Sequence, residues 1–205
     1  MMPRLFGLVI GMFAMLCAPT IANAAFMTFT ANLSGAAEAP PNASPGTGFT
    51  IVDFDTTAHT MRVRVTFSGL LGTSTVAHIH SATAVAGVGT VAPATTTPTF
   101  VGFPVGVTSG SFDNTLDMTL ATSYRAGFIT ASGGTPLAAE AALFDGMMQG
   151  KAYMNVHTDV FPGGEIRGFL QPVPAPPGLI LLGSGAFMML LSSGLRTVRR
   201  RMVKV

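Results

Sequence analysis

The chain has 205 residues and a formal net charge of +2, long enough for one ordinary domain with accessory segments. The basic residues crowd the ends, while 25–171 sets Arg62, Arg64, Arg125, Lys151 and Arg167 against all nine carboxylates, a net of −4. A mildly acidic domain cannot neutralise phosphates, so nucleic acid is excluded as a partner, and the single cysteine, Cys17, leaves the rest without a disulfide, a thiolate ligand or a cysteine nucleophile.

Met1-Met2-Pro3-Arg4 precedes an apolar run, Leu5 to Leu16, and then Ala22-Asn23-Ala24 before Ala25. One cation, a short apolar stretch and an A-x-A site form the pattern of a secretory signal, so 1–24 is expected to be removed between Ala24 and Ala25. Cys17 does not fit a lipoprotein signal, which wants a small residue just before the cysteine and Leu three before it. Leu16 and Ala14 stand there.

From Phe26 onward the pattern has period two, the mark of half-buried strands. Strands are expected at Phe26–Leu33, Phe49–Phe54, Met61–Phe67, Thr75–His80, Thr99–Val107, Ser111–Leu120, Ala152–His157 and Glu165–Leu170, separated by Gly, Pro, Asn, Asp and Thr clusters. Asp55 to Thr60 reads as a hairpin loop that leaves His59 solvated and uninvolved. Residues 84–98 are rich in Ala, Gly, Thr and Pro and are expected to form a mobile loop. Leu137 to Met148 reads as a helix whose first turn suits Pro136. Many short strands and one helix predict an all-β fold, an antiparallel Greek-key sandwich or barrel, either superoxide-dismutase-like or immunoglobulin-like.

Several motifs occur in a fixed order. Leu33-Ser34-Gly35-Ala36-Ala37-Glu38-Ala39-Pro40-Pro41 comes first, then Phe67-Ser68-Gly69-Leu70 and Ala77-His78-Ile79-His80. Tyr153-Met154-Asn155-Val156-His157-Thr158 and Gly164-Glu165-Ile166-Arg167-Gly168 complete the set. They resemble the CHRD domain, named for chordin, over about 27–171. The chain departs from that family at Ser81, where Gly is common, and at Phe169, where Gln is usual. The resemblance implies an extracellular β-domain with no established activity in bacteria.

After 25–171 comes a proline-rich spacer, 172–177, and then 178–195 without a charge. As a helix those residues would rise ~27 Å, enough for a hydrocarbon core of roughly 30 Å, so a transmembrane helix is expected. The basic tail 196–205 would stay in the cytoplasm and leave the domain outside. This tail resembles the PEP-CTERM sorting signal that exosortases handle in bacteria making extracellular polysaccharide. The family motif is Val-Pro-Glu-Pro, and Val173-Pro174-Ala175-Pro176 lacks the glutamate.

His78 and His80 are two apart on a strand, so both rings project from one face, while Ala77 and Ile79 point to the core. His157 shares its face with Tyr153 and Asn155. If the two strands are neighbours, three imidazoles converge, a ligand set that suits Cu(II) or Zn(II), with copper preferred for imidazole alone. The H-x-H strand resembles the copper side of Cu,Zn superoxide dismutases, although their bridging histidine and zinc loop are not evident. The competing expectation is that the histidines bond to loops and pin them, with Asn155, Glu165 and Arg167 in a supporting network. In it, Glu165 and Arg167 would form a surface pair or a cap. No GxSxG, P-loop or H-E-x-x-H occurs, so no catalytic residue is expected.

The expected protein is exported and held in the inner membrane with its domain in the periplasm, or at the cell surface or outside after tail processing. Its expected role is structural, adhesive or matrix-associated. The expected partners are the membrane, the secretion machinery, an exosortase and extracellular polysaccharide. The alternative is a copper-binding or redox protein using His78, His80 and His157.

Overall fold

A computed structural model describes residues 26–174. Residues 1–25 and 175–205, which hold the expected signal segment 1–24, Ala25, the end of the spacer from Ala175, and segments 178–195 and 196–205, lie outside the described residues. Among the described residues no helix is long and apolar enough to cross a membrane.

The strands are β1 (Phe26–Ser34), β2 (Thr47–Asp55), β3 (Thr60–Ser68), β4 (Ser74–His80), β5 (Gly110–Asp117), β6 (Tyr153–Thr158), β7 (Ile166–Phe169) and β8 (Gln171–Pro172). They form one antiparallel sheet in the order β4-β6-β7-β1-β2-β3-β5, with β8 also on β1. After the β1–β2–β3 meander the chain crosses to one edge for β4 and to the other for β5. It then returns through two helices to β6 beside β4. The sheet curls into a half-barrel, an all-β architecture in which one continuous sheet does the work of a sandwich's two layers.

Alternation builds the core. Phe29, Ala31 and Leu33 of β1, Val52 and Phe54 of β2, and Met61, Val63, Val65 and Phe67 of β3 all point inward and are buried. Each fully buried large side chain contributes about 1.5–3 kcal/mol through its removal from water. Helix α1 (Ala126–Ala131) and helix α2 (Pro136–Met148) close the open side of the curl. Thr135 caps α2, its hydroxyl accepting from the N–H of Ala138 at 3.2 Å, and Pro136 occupies the first turn. Phe144 of α2 meets Phe29 and Phe54 edge-on at 6.1 and 5.3 Å.

Several expectations are corrected. Residues 99–107 are not a strand, because Pro98 and Pro104 cannot donate to a ladder. The segment is an irregular arm whose buried Phe100 and Phe103 pack on Phe112. β5 stops at Asp117, whose carboxylate accepts from the N–H and hydroxyl of Thr119 and turns the chain. Helix α1 has no sequence signature, since Ala126-Gly127-Phe128-Ile129-Thr130-Ala131 lacks both periodicity and a cap. The 84–98 segment is irregular but tied down at its end. Ala94 and Thr95 are fully buried, and their N–H groups donate to the Ile79 carbonyl. Beyond 171 the chain still follows β1, where Pro172 pairs with Phe29 and the Val173 N–H donates to the Thr28 carbonyl.

The Asp55–Thr60 hairpin loop forms as expected, its Asp55 carboxylate accepting from the N–H groups of Thr57 and Ala58. His59 is not free in it. Its Nδ1 lies 2.8 Å from Oε2 of Glu140, a residue only 2 % exposed on α2. A surface hollow of about 700 Å³ lies beside this pair, but it shares no lining residue with the convergence of the other three histidines.

Candidate metal centre

β4 and β6 are direct neighbours. His78 faces Asn155 across the ladder, His80 faces Tyr153, and Val76 faces His157. The antiparallel register therefore puts His157 diagonally beside His78, on the face that also carries His80. Ring centroids are 5.6 Å apart for His78 and His80, 5.4 Å for His78 and His157, and 6.1 Å for His80 and His157. One ring nitrogen from each lies within 4.8 Å of the others.

Each ring is anchored through one nitrogen to a backbone carbonyl. Nε2 of His78 donates to Pro98 at 2.5 Å, Nδ1 of His80 to Val91 at 2.7 Å, and Nδ1 of His157 to Pro162 at 2.8 Å. A carbonyl only accepts, so the proton of the neutral ring sits on the anchored nitrogen and a lone pair on the other. Those others, Nδ1 of His78 and Nε2 of His80 and His157, are buried and have no hydrogen-bond partner. Burial lowers the basicity of all three rings, against their carbonyl bonds, and takes His80 down to about 4. The rings are therefore neutral at pH 7, the state in which imidazole binds metal.

The site is covered rather than displayed on an open face. His78 and His80 are 5 % and 6 % exposed, because the segment supplying the Val91 and Pro98 carbonyls lies over the strand. His80 stacks on Tyr153 at 4.6 Å and 7°. The Tyr153 hydroxyl donates to Val91 at 3.2 Å, and the Arg167 guanidinium sits 4.9 Å from the Tyr153 ring.

The supporting residues are arranged differently from expectation. Glu165 and Arg167 are both buried and make no pair with each other. Being two apart on an extended chain they face alike, but they reach different loops. Glu165 accepts from Ser44 Oγ at 2.6 Å, Leu71 N at 2.6 Å, Gly72 N at 3.1 Å and Thr158 Oγ1 at 2.7 Å. Burial pushes its carboxyl up, and these four donors together hold it below the usual range. Arg167 donates to the carbonyls of Ala37 and Gly89 and lies 3.8 Å from Glu38. Asn155 is 3 % exposed, between His78 and Arg167 on the ladder.

Two glycines allow this packing. A Cβ on Gly168 would fall 2.2 Å from the Asn32 carbonyl oxygen, and one on Gly164 would fall 2.6 Å from Asn155 and 2.8 Å from Glu38. The sequence did not reveal Tyr153 or Glu38 as parts of the site, nor the carbonyls of Val91, Pro98 and Pro162. The prolines near those carbonyls announce turns, and nothing more.

The fold and the cluster define an antiparallel β-domain with a covered three-imidazole site. A family model, the CHRD domain, matches residues 29–170, and the chain belongs to that family. Membership suggests an extracellular β-domain with a structural role. Neither the curated proteins nor the solved structures compared with the chain include a match.

Proposed function

We propose that this chain is a copper-binding β-domain of the cell exterior, with His78, His80 and His157 as the protein ligands. One observation carries the reading: three neutral, anchored rings each bring one nitrogen within 4.8 Å of the others, and each ring holds a buried nitrogen without a protein partner. A buried polar atom without a partner costs about 1–3 kcal/mol. Pinning loops uses only the anchored nitrogens and leaves the other three without a protein partner, whereas a metal ion would engage all three. Metal–nitrogen bonds of about 2.0–2.1 Å need nitrogens roughly 3–4 Å apart, so the rings must close only slightly. Copper is preferred because Cu(II) heads the affinity order for nitrogen donors among first-row divalent metals and imidazole suits copper as a ligand, so the choice of metal does not depend on which oxidation state the site favours. The carbonyls behind the rings are the outer partners that fix a metal-binding tautomer.

The test is metal content of the purified chain. One equivalent of copper is expected, lost in His80→Ala and retained in His59→Ala, since His59 is the histidine outside the cluster. Equal, sub-stoichiometric copper in all three proteins would refute the site.

The ends support export and tethering. The Ala22-Asn23-Ala24 pattern favours cleavage before Ala25, the uncharged 178–195 favours a membrane anchor, and Val173-Pro174-Ala175-Pro176 favours handling by an exosortase among extracellular polysaccharide. Because Val173 still bonds to β1, the chain should be cut after Pro174 to test the anchor. Release of that truncated form into the periplasm or medium is expected, and its retention on membranes would reject the tether.

A further inference from the structure

We infer that the three-histidine centre is built for monovalent copper, Cu(I), in preference to Cu(II) or Zn(II). The inference rests on the metal-site reading above and adds the oxidation state of the ion.

The donor set is neutral. The cluster contains three imidazoles and, among the described residues, no carboxylate or thiolate joins them. Nothing in it offsets the charge of a bound ion. The divalent first-row ions reach a comfortable state with anionic or additional ligands, and structural zinc is four-coordinate almost without exception. Filled-shell Cu(I) is satisfied by three nitrogens.

The site is also sealed. The three free nitrogens are buried, so an ion held there gives up most of its hydration. That cost grows with the square of the charge, so a divalent ion loses roughly four times what a monovalent one does. Only half-buried His157 leaves the site a side open toward solvent.

The surroundings place no anion directly against the rings. The groups that face the rings are Val76 from β4, Tyr153 and Asn155 from β6, and Arg167 from β7. The first three are neutral. Arg167 reaches the stack that Tyr153 makes with His80 and its charge acts on the His80 ring, with the buried Glu38 carboxyl 3.8 Å from the guanidinium as the one acidic group beside it. The backbone carbonyls of Val91, Pro98 and Pro162, which could have turned negative ends toward an ion, are already engaged by the ring N–H groups. A divalent ion therefore meets the larger loss of hydration with no anionic ligand in the cluster, whereas Cu(I) gives up about a quarter as much hydration.

The experiment is anaerobic competition of the purified chain against bicinchoninate for Cu(I) and against nitrilotriacetate for Cu(II), at one pH. Cu(I) should bind about a hundred-fold more tightly than Cu(II), raising the potential of the bound couple by roughly 118 mV at 59 mV per factor of ten. Val76 gives the control, because it is half-buried and directly opposite His157. Val76→Glu places a carboxylate beside the site and should shift the ratio about ten-fold or more toward Cu(II), while Val76→Gln leaves it unchanged. Equal or tighter Cu(II) binding that His80→Ala still abolishes would overturn the oxidation-state inference and leave the site standing. An unchanged ratio in Val76→Glu would overturn the charge argument. Absence of stoichiometric copper in either state would remove the site itself.

Discussion

The two wings of the sheet follow the same alternation and treat their outward side chains in opposite ways. On β2, β3 and β5 the outer face is open. Arg62 pairs with Asp113 at 2.6 Å with both side chains about half exposed, and Arg64 pairs with Asp53. On β4, β6 and β7 the outer face is roofed by loops, and His78, His80, Asn155 and Arg167 are buried. Water competes with the partners on the first wing and is excluded from the second. Identical strand chemistry thus yields solvated ion pairs in one place and a polar interior in the other. In the covered wing every unmet donor or acceptor has a cost, which is why three unmet nitrogens in one spot are informative there.

The largest effect should come from removing the buried carboxylate that ties loops together beside the covered wing. Glu165→Ala deletes an acceptor for four donors from three chain segments. Bonds to a charged group are worth about 1.5–3 kcal/mol each and overlap in effect, so a loss of roughly 3–5 kcal/mol is expected in urea unfolding. A loss under about 1 kcal/mol would mean that the loops are held otherwise, and the contrast between the wings would weaken.

A smaller, pH-dependent effect belongs to Glu38. Burial pushes its carboxyl up to about 7, against the Arg167 charge and the Ala39 N–H, which pull it down. The folded chain therefore keeps a proton that the unfolded chain, at its ordinary 4.5, releases. Stability from this group is fully present below the unfolded value and is lost as pH rises through the folded one. Glu38→Gln holds the neutral form throughout. Relative to the natural chain it should gain roughly 1–3 kcal/mol between pH 5 and pH 8. The three histidines, whose basicity is lowered, work in the reverse sense. Their stabilisation is present above the ordinary 6.5 and lost as pH falls through the folded values. That contribution cancels when variant and natural chain are compared at the same pH. A flat difference across pH 5–8 would show that Glu38 is ionised in the folded state.

The smallest effect is expected on the open wing. Arg62→Ala removes half of a well-formed pair, yet its urea midpoint should coincide with that of the natural chain, because exposed ion pairs contribute little against water and salt. A clear drop in the midpoint would erase the distinction between the wings.

Much of this architecture was legible in the residues. Strands β1 to β4 fall within two residues of their expected limits, since alternation is a local property with a two-residue repeat. Helix α2 was visible because Pro136 and the run after it carry a starting signal. The order of CHRD motifs was visible as a pattern and is matched by the family model over 29–170. The failures share a cause. His59 looked solvated because its partner, Glu140, lies on a helix far along the chain. Glu165 and Arg167 looked like a surface pair because their spacing gives a shared face and says nothing of what covers it. Phe100 and Phe103 looked like strand residues because their apolar spacing is the same whether the backbone pairs or merely packs.

The sequence by itself determined which side chains share a face: His78 with His80, His157 with Asn155 and Tyr153, and Ala77 and Ile79 opposite them. An extended backbone turns each residue over relative to the last, so this needs no knowledge of the fold. Only the tertiary structure decided that β4 and β6 lie side by side and that loops roof their outer face. It alone turned the carbonyls of Val91, Pro98 and Pro162 onto the rings. Every residue carries a carbonyl, so residue type cannot mark which ones will point inward, and long-range strand order depends on how the whole chain buries its apolar face.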